Sequence, residues 1–507
     1  MKLKVAIVGG GPAAFYVASR LLSRIPDAPG SPLLRVHLFD RLWAPHGLVR
    51  YGVAPDHPEV KNCTNKFDQV AADPRFRFFG NVNVGTRPPE GMEQTVQLPW
   101  SEIKRNYSHL VFATGCTMPA LHSALAGSPW CLPALSFVHW YTQHPSAPPA
   151  PPLEAIPHVS LIGNGNVALD IARILLTSPA VLEKYDVPQP VLDVLARSAV
   201  QHVSIIARRG PLQAAFTAKE LRELTNLPDA AMAPIPPALL APPPGVTPTR
   251  QQSRILTLLA QGSRNPFGST RKTWALEFFK SPTGLAPPAE GETLPELLLT
   301  HTALDEHGRA VPAGPAPPLR TALVVPALGF RAEPTTPFFD PALGHLRTAA
   351  GRVLGANGRP VKSVYAAGWA ATGARGVLAT TMMDAYGVAD TVLADATAAE
   401  EGPIAMDADS GPHGRHSVLL NNAQKGVDVA EEFRMNPTPA NDWAPELAGV
   451  IFDYEDWKRV DAEEVRLGLA LGKERERMGW READAFWRRP NPARPWASTQ
   501  STEAQFG

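Results

Sequence analysis

Lys4-Val5-Ala6-Ile7-Val8-Gly9-Gly10-Gly11-Pro12-Ala13-Ala14 opens the chain with an apolar strand, a glycine turn and the start of a helix. The spacing Gly9-x-Gly11-x-x-Ala14 predicts a tight turn that lets a pyrophosphate approach the helix N-terminus. A bare strand-to-helix turn would share the glycines, so the flanks matter. The next apolar strand, Val36-His37-Leu38-Phe39-Asp40, ends in an acid placed to accept from ribose hydroxyls. Together these features predict a dinucleotide-binding unit.

Val159 to Leu176 repeats the plan, with Gly163-Asn164-Gly165-Asn166 in the turn. Its second strand, Val203 to Ala207, ends in Arg208-Arg209-Gly210 where the first unit has Asp40. A carboxylate there repels a 2′-phosphate, whereas two guanidiniums can fork onto one, so this unit is expected to prefer NADP(H) to NAD(H). A third glycine cluster, Gly368-Trp369-Ala370-Ala371-Thr372-Gly373-Ala374-Arg375-Gly376-Val377-Leu378, follows a strand at Ser363 to Ala367 and opens another helix. Its amide dipole could face a ring that becomes anionic on reduction.

Composition bounds the alternatives. The 507 residues exceed one ordinary core, 44% are hydrophobic, and no apolar run is long enough for a membrane span. Lys plus Arg equals Asp plus Glu at 48 each, so bulk charge offers nothing to nucleic acid or membrane. Cys63, Cys116 and Cys131 are too few and too scattered for a disulfide framework or zinc knuckles; no metal site is expected. The first strand begins almost at Met1, so the expectation is either that import is absent or that a presequence is missing.

The Pro-rich stretch Pro145 to Pro152 is a candidate crossover between domains. Pro234 to Pro248 and Pro287 to Pro318 read as surface insertions without chemistry, since proline lacks the amide donor that helix and sheet interiors need. Arg250, Arg254, Arg264, Arg271, Lys272 and Lys280 lie in a segment with one acid, Glu277. They form a candidate docking face for an acidic protein, or else a solvated basic surface.

With these residues in view, the chain resembles the adrenodoxin reductase family of ferredoxin-NADP(+) reductases. The likeness runs from Val5 to Ala13 through Gly47-Leu48-Val49-Arg50-Tyr51-Gly52-Val53-Ala54-Pro55-Asp56-His57-Pro58-Glu59-Val60-Lys61. It continues through the second and third glycine clusters to a C-terminal signature with Trp457, Asp461, Gly468 and Lys473. The resemblance implies an α/β fold of two Rossmann-like domains of the glutathione reductase type. Residues 1–115 and 335–507 would bind FAD and 116–334 NADPH.

By the same resemblance, FAD is held at Gly9, Gly11, Ala13, Asp40, Leu48, Val84, Trp369, Gly376, Val377 and Leu378. NADPH is held at Gly163, Asn164, Gly165, Asn166, Arg208, Arg209 and Glu220. His57, Asp170 and Glu220 form the catalytic set, and Arg222, Arg250 and Arg254 meet a 2Fe-2S, adrenodoxin-like ferredoxin. Hydride passes from NADPH to the flavin and electrons then leave singly. The resemblance also implies a monomer on the matrix side of the mitochondrial inner membrane, with peripheral membrane contact left open and no nucleic-acid partner. The family usually has Glu at Asp40 and Pro-Thr at Ala374-Arg375. Without the family, His57 between prolines reads as a turn residue, and Asp170 and Glu220 as ordinary helix acids. A flavin monooxygenase and a non-catalytic redox sensor stay open; a disulfide reductase lacks its cysteine pair.

Overall fold

The computed structural model describes residues 2–288, 290–401 and 451–489. Strand Lys2–Val8 pairs in parallel with Leu33–Asp40 on one side and His109–Phe112 on the other. Phe76–Gly80 extends the sheet beyond Leu33–Asp40, and Pro360–Ala366 extends it beyond His109–Phe112. Two short antiparallel strands, Arg352–Leu354 and Thr348–Ala349, close that edge into a seven-stranded sheet. Parallel strands covered on both faces must be apolar almost throughout, which is why Val5, Ala6 and Ile7 are all fully buried.

A second, wholly parallel sheet has the order Ala230–Met232, Lys272–Phe278, His202–Ala207, His158–Ile162, Leu323–Pro326. Its glycine strand lies between the strand that precedes Arg208 and a later parallel strand, as Lys2–Val8 does in the first sheet. Each sheet has its own core, the first around Ile7, Phe15 and Val36, the second around Leu161, Ile171 and Ile205. The α/β fold with two dinucleotide-binding units is therefore the one expected from sequence.

Pro145–Pro152 is not where the chain crosses. Helix Ala134–Tyr141 already packs in the second core, through Phe137 and Tyr141. The passage between units is 113–133, and the return passes Phe330–Arg331. These two segments meet as a short antiparallel pair, Met118–Pro119 with Phe330–Arg331.

The stretch expected as an inert Pro-rich insertion folds instead into an antiparallel sheet of Lys280–Ala286, Glu296–Leu304 and Ala310–Arg320. Its prolines concentrate in Ala310–Arg320, an edge strand paired on one side only, where a missing amide donor is tolerated better than in a sheet interior. Leu297 and Leu299 turn inward onto Leu125, Ile162, Ile206 and Val324.

Helix Tyr454–Ala470, capped by Asp453, returns to the first unit. Glu464, fully buried, accepts two bonds from Arg50, at 2.6 and 3.0 Å, and one from the Met478 amide. Arg477 donates to the carbonyls of Arg50 and Thr142 and pairs with Asp186, which also holds Lys61. This buried ionic cluster joins the tail to both units. Residues 402–450 and 490–507, the remainder of the expected C-terminal segment, lie outside the described residues.

Candidate functional site

The two glycine loops agree atom by atom. The Gly9 amide donates to Phe39 O at 2.7 Å and the Gly163 amide to Ile206 O at 2.8 Å. Both glycines have positive φ, +109° and +117°. A Cβ on Gly9 would stand 2.3 Å from Ala113 O, and one on Gly163 would stand 2.5 Å from Ala327 O. At these two positions only glycine fits, for reasons of both dihedral and space.

Gly11 and Gly165 cap helices Pro12–Arg24 and Asn166–Leu176 in extended conformation, and a Cβ on either would meet nothing within 4 Å. Each loop thus leaves an open cradle over a helix N-terminus, where pyrophosphate charge is favoured. Two buried polar atoms beside these loops, Thr114 Oγ1 and Asn164 Nδ2, have no hydrogen-bond partner among the described residues. They fit two bound dinucleotides.

Around the first cradle, Asp40 lies at the end of Leu33–Asp40 with Oδ2 against Gly10, and burial pushes its carboxyl up to about 7. Gly47, next to Leu48, approaches the Gly11 backbone, and Gly368 approaches Ala13. The Trp369 indole donates to Arg375 O at 3.0 Å, closing the third glycine loop before helix Leu378–Glu401 begins. Val84 packs on the core that holds Ala370 and Ala371, and Leu378 on the one that holds Ala13. Leu48 and Val377 stay 40% and 59% exposed. The Gly376 φ of +86° turns the loop into the helix. The Arg375 side chain is exposed and has no ion-pair partner among the described residues.

At the second loop, Asn166 Oδ1 accepts the Thr217 amide, and Thr217 caps helix Ala218–Thr225, which carries Glu220 and Arg222. Arg208 and Arg209 pair with no carboxylate among the described residues. Burial, and after it the Arg208 charge, lowers the pKa of His122.

His57, Asp170 and Glu220 come together, with one ligand atom of each lying within 4.8 Å of the others. Five residues to which the sequence assigned no catalytic role, Asp56, Glu59, Arg173, Lys219 and Glu223, complete the cluster or attach to it. The Arg173 guanidinium, one turn beyond Asp170, bonds Asp56 at 2.5 Å, Asp170 at 2.8 Å and Glu220 at 3.0 Å. Glu223, one turn beyond Glu220, bonds His57 Nε2 at 2.7 Å. Lys219 pairs with Glu59 at the rim. The signals were the i, i+3 ion pair of Asp170 with Arg173 and the i, i+3 spacing that puts Glu220 and Glu223 on one helix face. Arg173 bonds the same acids that a cation would use.

Two groups of the cluster have shifted pKa values. Burial alone would lower the His57 pKa, but the Glu223 bond with the Asp56 and Glu220 charges lifts it above the ordinary value. Burial, with the Asp170 charge beside it, raises Glu220 to about 7. Below pH 4.5 both folded and unfolded chains hold the Glu220 proton. Between 4.5 and 7 the folded chain alone holds it, so stability falls as pH rises through that window. Replacing Glu220 with Gln should flatten this part of the profile, read as the variant-minus-parent difference in thermal midpoint. A difference constant with pH would refute the assignment.

Arg222, Arg250 and Arg254 fall on two helices packed together, Ala218–Thr225 and Arg250–Gln261. None has an ion-pair partner among the described residues. Two candidates leave the basic face: Lys272 Nζ turns inward to the carbonyls of Leu175 and Leu176 at a helix C-terminus, and Lys280 pairs with Glu277.

No family model matches the sequence. NADPH:adrenodoxin oxidoreductase, mitochondrial, from Bos taurus is 34% identical over 491 residues, covering 94% of this chain and 90% of its own. NADPH-ferredoxin reductase FprA from Mycobacterium tuberculosis is 36% identical over 485 residues, covering 94% and 96%. The solved structure of Mycobacterium tuberculosis FprA in complex with NADPH superposes with a TM-score of 0.79 at 30% identity, over 96% of this chain and 99% of that one.

Proposed function

Because this chain belongs to the adrenodoxin reductase family of ferredoxin-NADP(+) reductases, we propose that it passes electrons from NADPH through FAD to a 2Fe-2S ferredoxin of the adrenodoxin type. The observation that carries this reading is the pair of matched loops with opposite charge at the second strand's end, Asp40 in one and Arg208-Arg209 in the other. FAD, when bound, supplies the conversion of a two-electron hydride into single electrons.

The chain's own residues bind and orient. Gly9, Gly11, Ala13 and Asp40 would hold the FAD pyrophosphate and ribose, and Leu48, Val84, Trp369, Gly376, Val377 and Leu378 its ring. Gly163 to Asn166, Arg208, Arg209 and Glu220 would hold NADPH. His57 and Glu220, steadied by Arg173, would hold and move a proton beside the nicotinamide. Residues 1–115 and 335–507 form the proposed FAD domain and 116–334 the NADPH domain. The charges of Arg222, Arg250 and Arg254, which have no ion-pair partner among the described residues, would receive an acidic ferredoxin.

Among the described residues no helix is long and apolar enough to cross a membrane. A mitochondrial matrix location is proposed from the mitochondrial relatives alone, since the mycobacterial relatives match the same share of the chain.

The test is anaerobic titration of the purified yellow protein with NADPH, then with a 2Fe-2S ferredoxin coupled to cytochrome. The flavin band should bleach and then recover as cytochrome is reduced. Bleaching without electron delivery to ferredoxin would refute the proposal. Reversing Arg250 and Arg254 to Glu should slow cytochrome reduction several-fold at low salt and leave flavin bleaching intact.

A further inference from the structure

The Arg208-Arg209-Gly210 turn is touched at all three residues, by Thr302 of the insertion's antiparallel sheet and by Phe279, which directly precedes that sheet's first strand. Thr302 Oγ1 donates to Arg208 O at 2.8 Å. The Phe279 amide faces Arg209 O at 3.5 Å, and a Cβ on Gly210 would stand 2.4 Å from the Phe279 ring. Thr302 and Phe279 are themselves joined, the Thr302 amide donating to Phe279 O at 2.9 Å. Phe279 links the second parallel sheet to the insertion with a φ of +55°, a conformation that bulky residues seldom adopt.

The aim of Thr302 coincides with a break in the strand pairing, where the partner strand Ala310–Arg320 carries the extra residue Ala313. Along Glu296–Leu304, Leu297 and Leu299 face inward, and strict alternation would bury His301 and expose Thr302. The register shifts between His301 and Thr302, and the phase reverses: His301 is exposed and Thr302 is buried against the arginine turn.

We propose that the insertion sheet is a specificity element of the nucleotide site, with Thr302 and Phe279 as positioning residues that hold Arg208 and Arg209 where a 2′-phosphate meets both. This rests on the reading that Arg208 and Arg209 contact that phosphate. The turn lies between a parallel strand and a short helical segment, Pro211–Gln213, and its carbonyls take no part in the parallel ladder. Thr302 supplies the hydroxyl that fixes the first of them. Arginine can fork onto phosphate only when its backbone origin is fixed, because the bidentate geometry tolerates little displacement.

The experiment uses the FAD-loaded full chain and equilibrium binding of 2′,5′-ADP and 5′-AMP, which differ by the phosphate alone. Thr302→Val keeps the shape and removes the hydroxyl. It should weaken 2′,5′-ADP about fivefold or more, as loss of one buried hydrogen bond implies, and leave 5′-AMP unchanged within about twofold. Thr302→Ser should restore the difference. In turnover the loss should appear in KM for NADPH rather than in kcat. Equal losses for both nucleotides, no loss for either, or a serine variant as weak as the valine one would overturn the proposal. The double variant Arg208→Ala/Arg209→Ala separates the two levels. If it weakens both nucleotides equally or neither, the phosphate reading itself falls; if it weakens 2′,5′-ADP selectively and Thr302→Val does not, the positioning role alone falls.

Discussion

Replacing Arg208 and Arg209 together with Ala is expected to cost NADPH roughly 2–4 kcal/mol of binding, about 30- to 800-fold, and to leave NADH nearly untouched. The asymmetry follows from what the two cofactors present at the ribose. A 2′-phosphate loses two charge-assisted partners, whereas a 2′-hydroxyl loses none that it needs. Both guanidiniums lack a carboxylate partner among the described residues, so no competing ion pair has to be broken when a phosphate arrives. Stopped-flow reduction of the flavin at varied NADPH and NADH concentrations measures both affinities. Equal losses for the two cofactors would mean that the pair supports the fold of the loop and does not read the phosphate.

The second large effect is on stability. Glu464→Ala should destabilise the folded chain by about 3–5 kcal/mol, because it leaves the buried Arg50 guanidinium without its carboxylate. Arg50 also lies over the Trp457 ring at 4.7 Å, so it cannot swing out to solvent without uncovering the tail helix. Replacing both partners at once, Arg50→Met with Glu464→Leu, should recover much of the loss, since the cost comes from an unpaired buried charge and not from the absence of a bridge. Urea unfolding followed by tryptophan fluorescence measures both variants. A Glu464→Ala chain with the parent's midpoint would show that the cluster contributes nothing.

These two predictions differ in how far the sequence alone could reach. The glycine loops, their flanking strands and the contrast between Asp40 and Arg208-Arg209 were legible because each is local. Backbone dihedrals, strand period and the residue closing a strand are all decided within about twenty residues. The candidate catalytic residues His57, Asp170 and Glu220 were legible only through family likeness, and the structure places them in one cluster. The sequence misread the proline-rich insertion. Proline argues against a sheet interior, but the rule does not extend to an edge strand, and Ala310–Arg320 is one.

Sequence by itself therefore determined two nucleotide units, their order and the charge that makes them unequal. Tertiary structure alone decided what surrounds them. Arg173 meets Asp56 across 117 residues, Thr302 reaches Arg208 across 94, and Arg50 finds Glu464 across 414. A guanidinium or hydroxyl carries no mark in the sequence of which distant group will satisfy it. That choice is made when burial removes water, because every polar group then enclosed must find its partner within the fold.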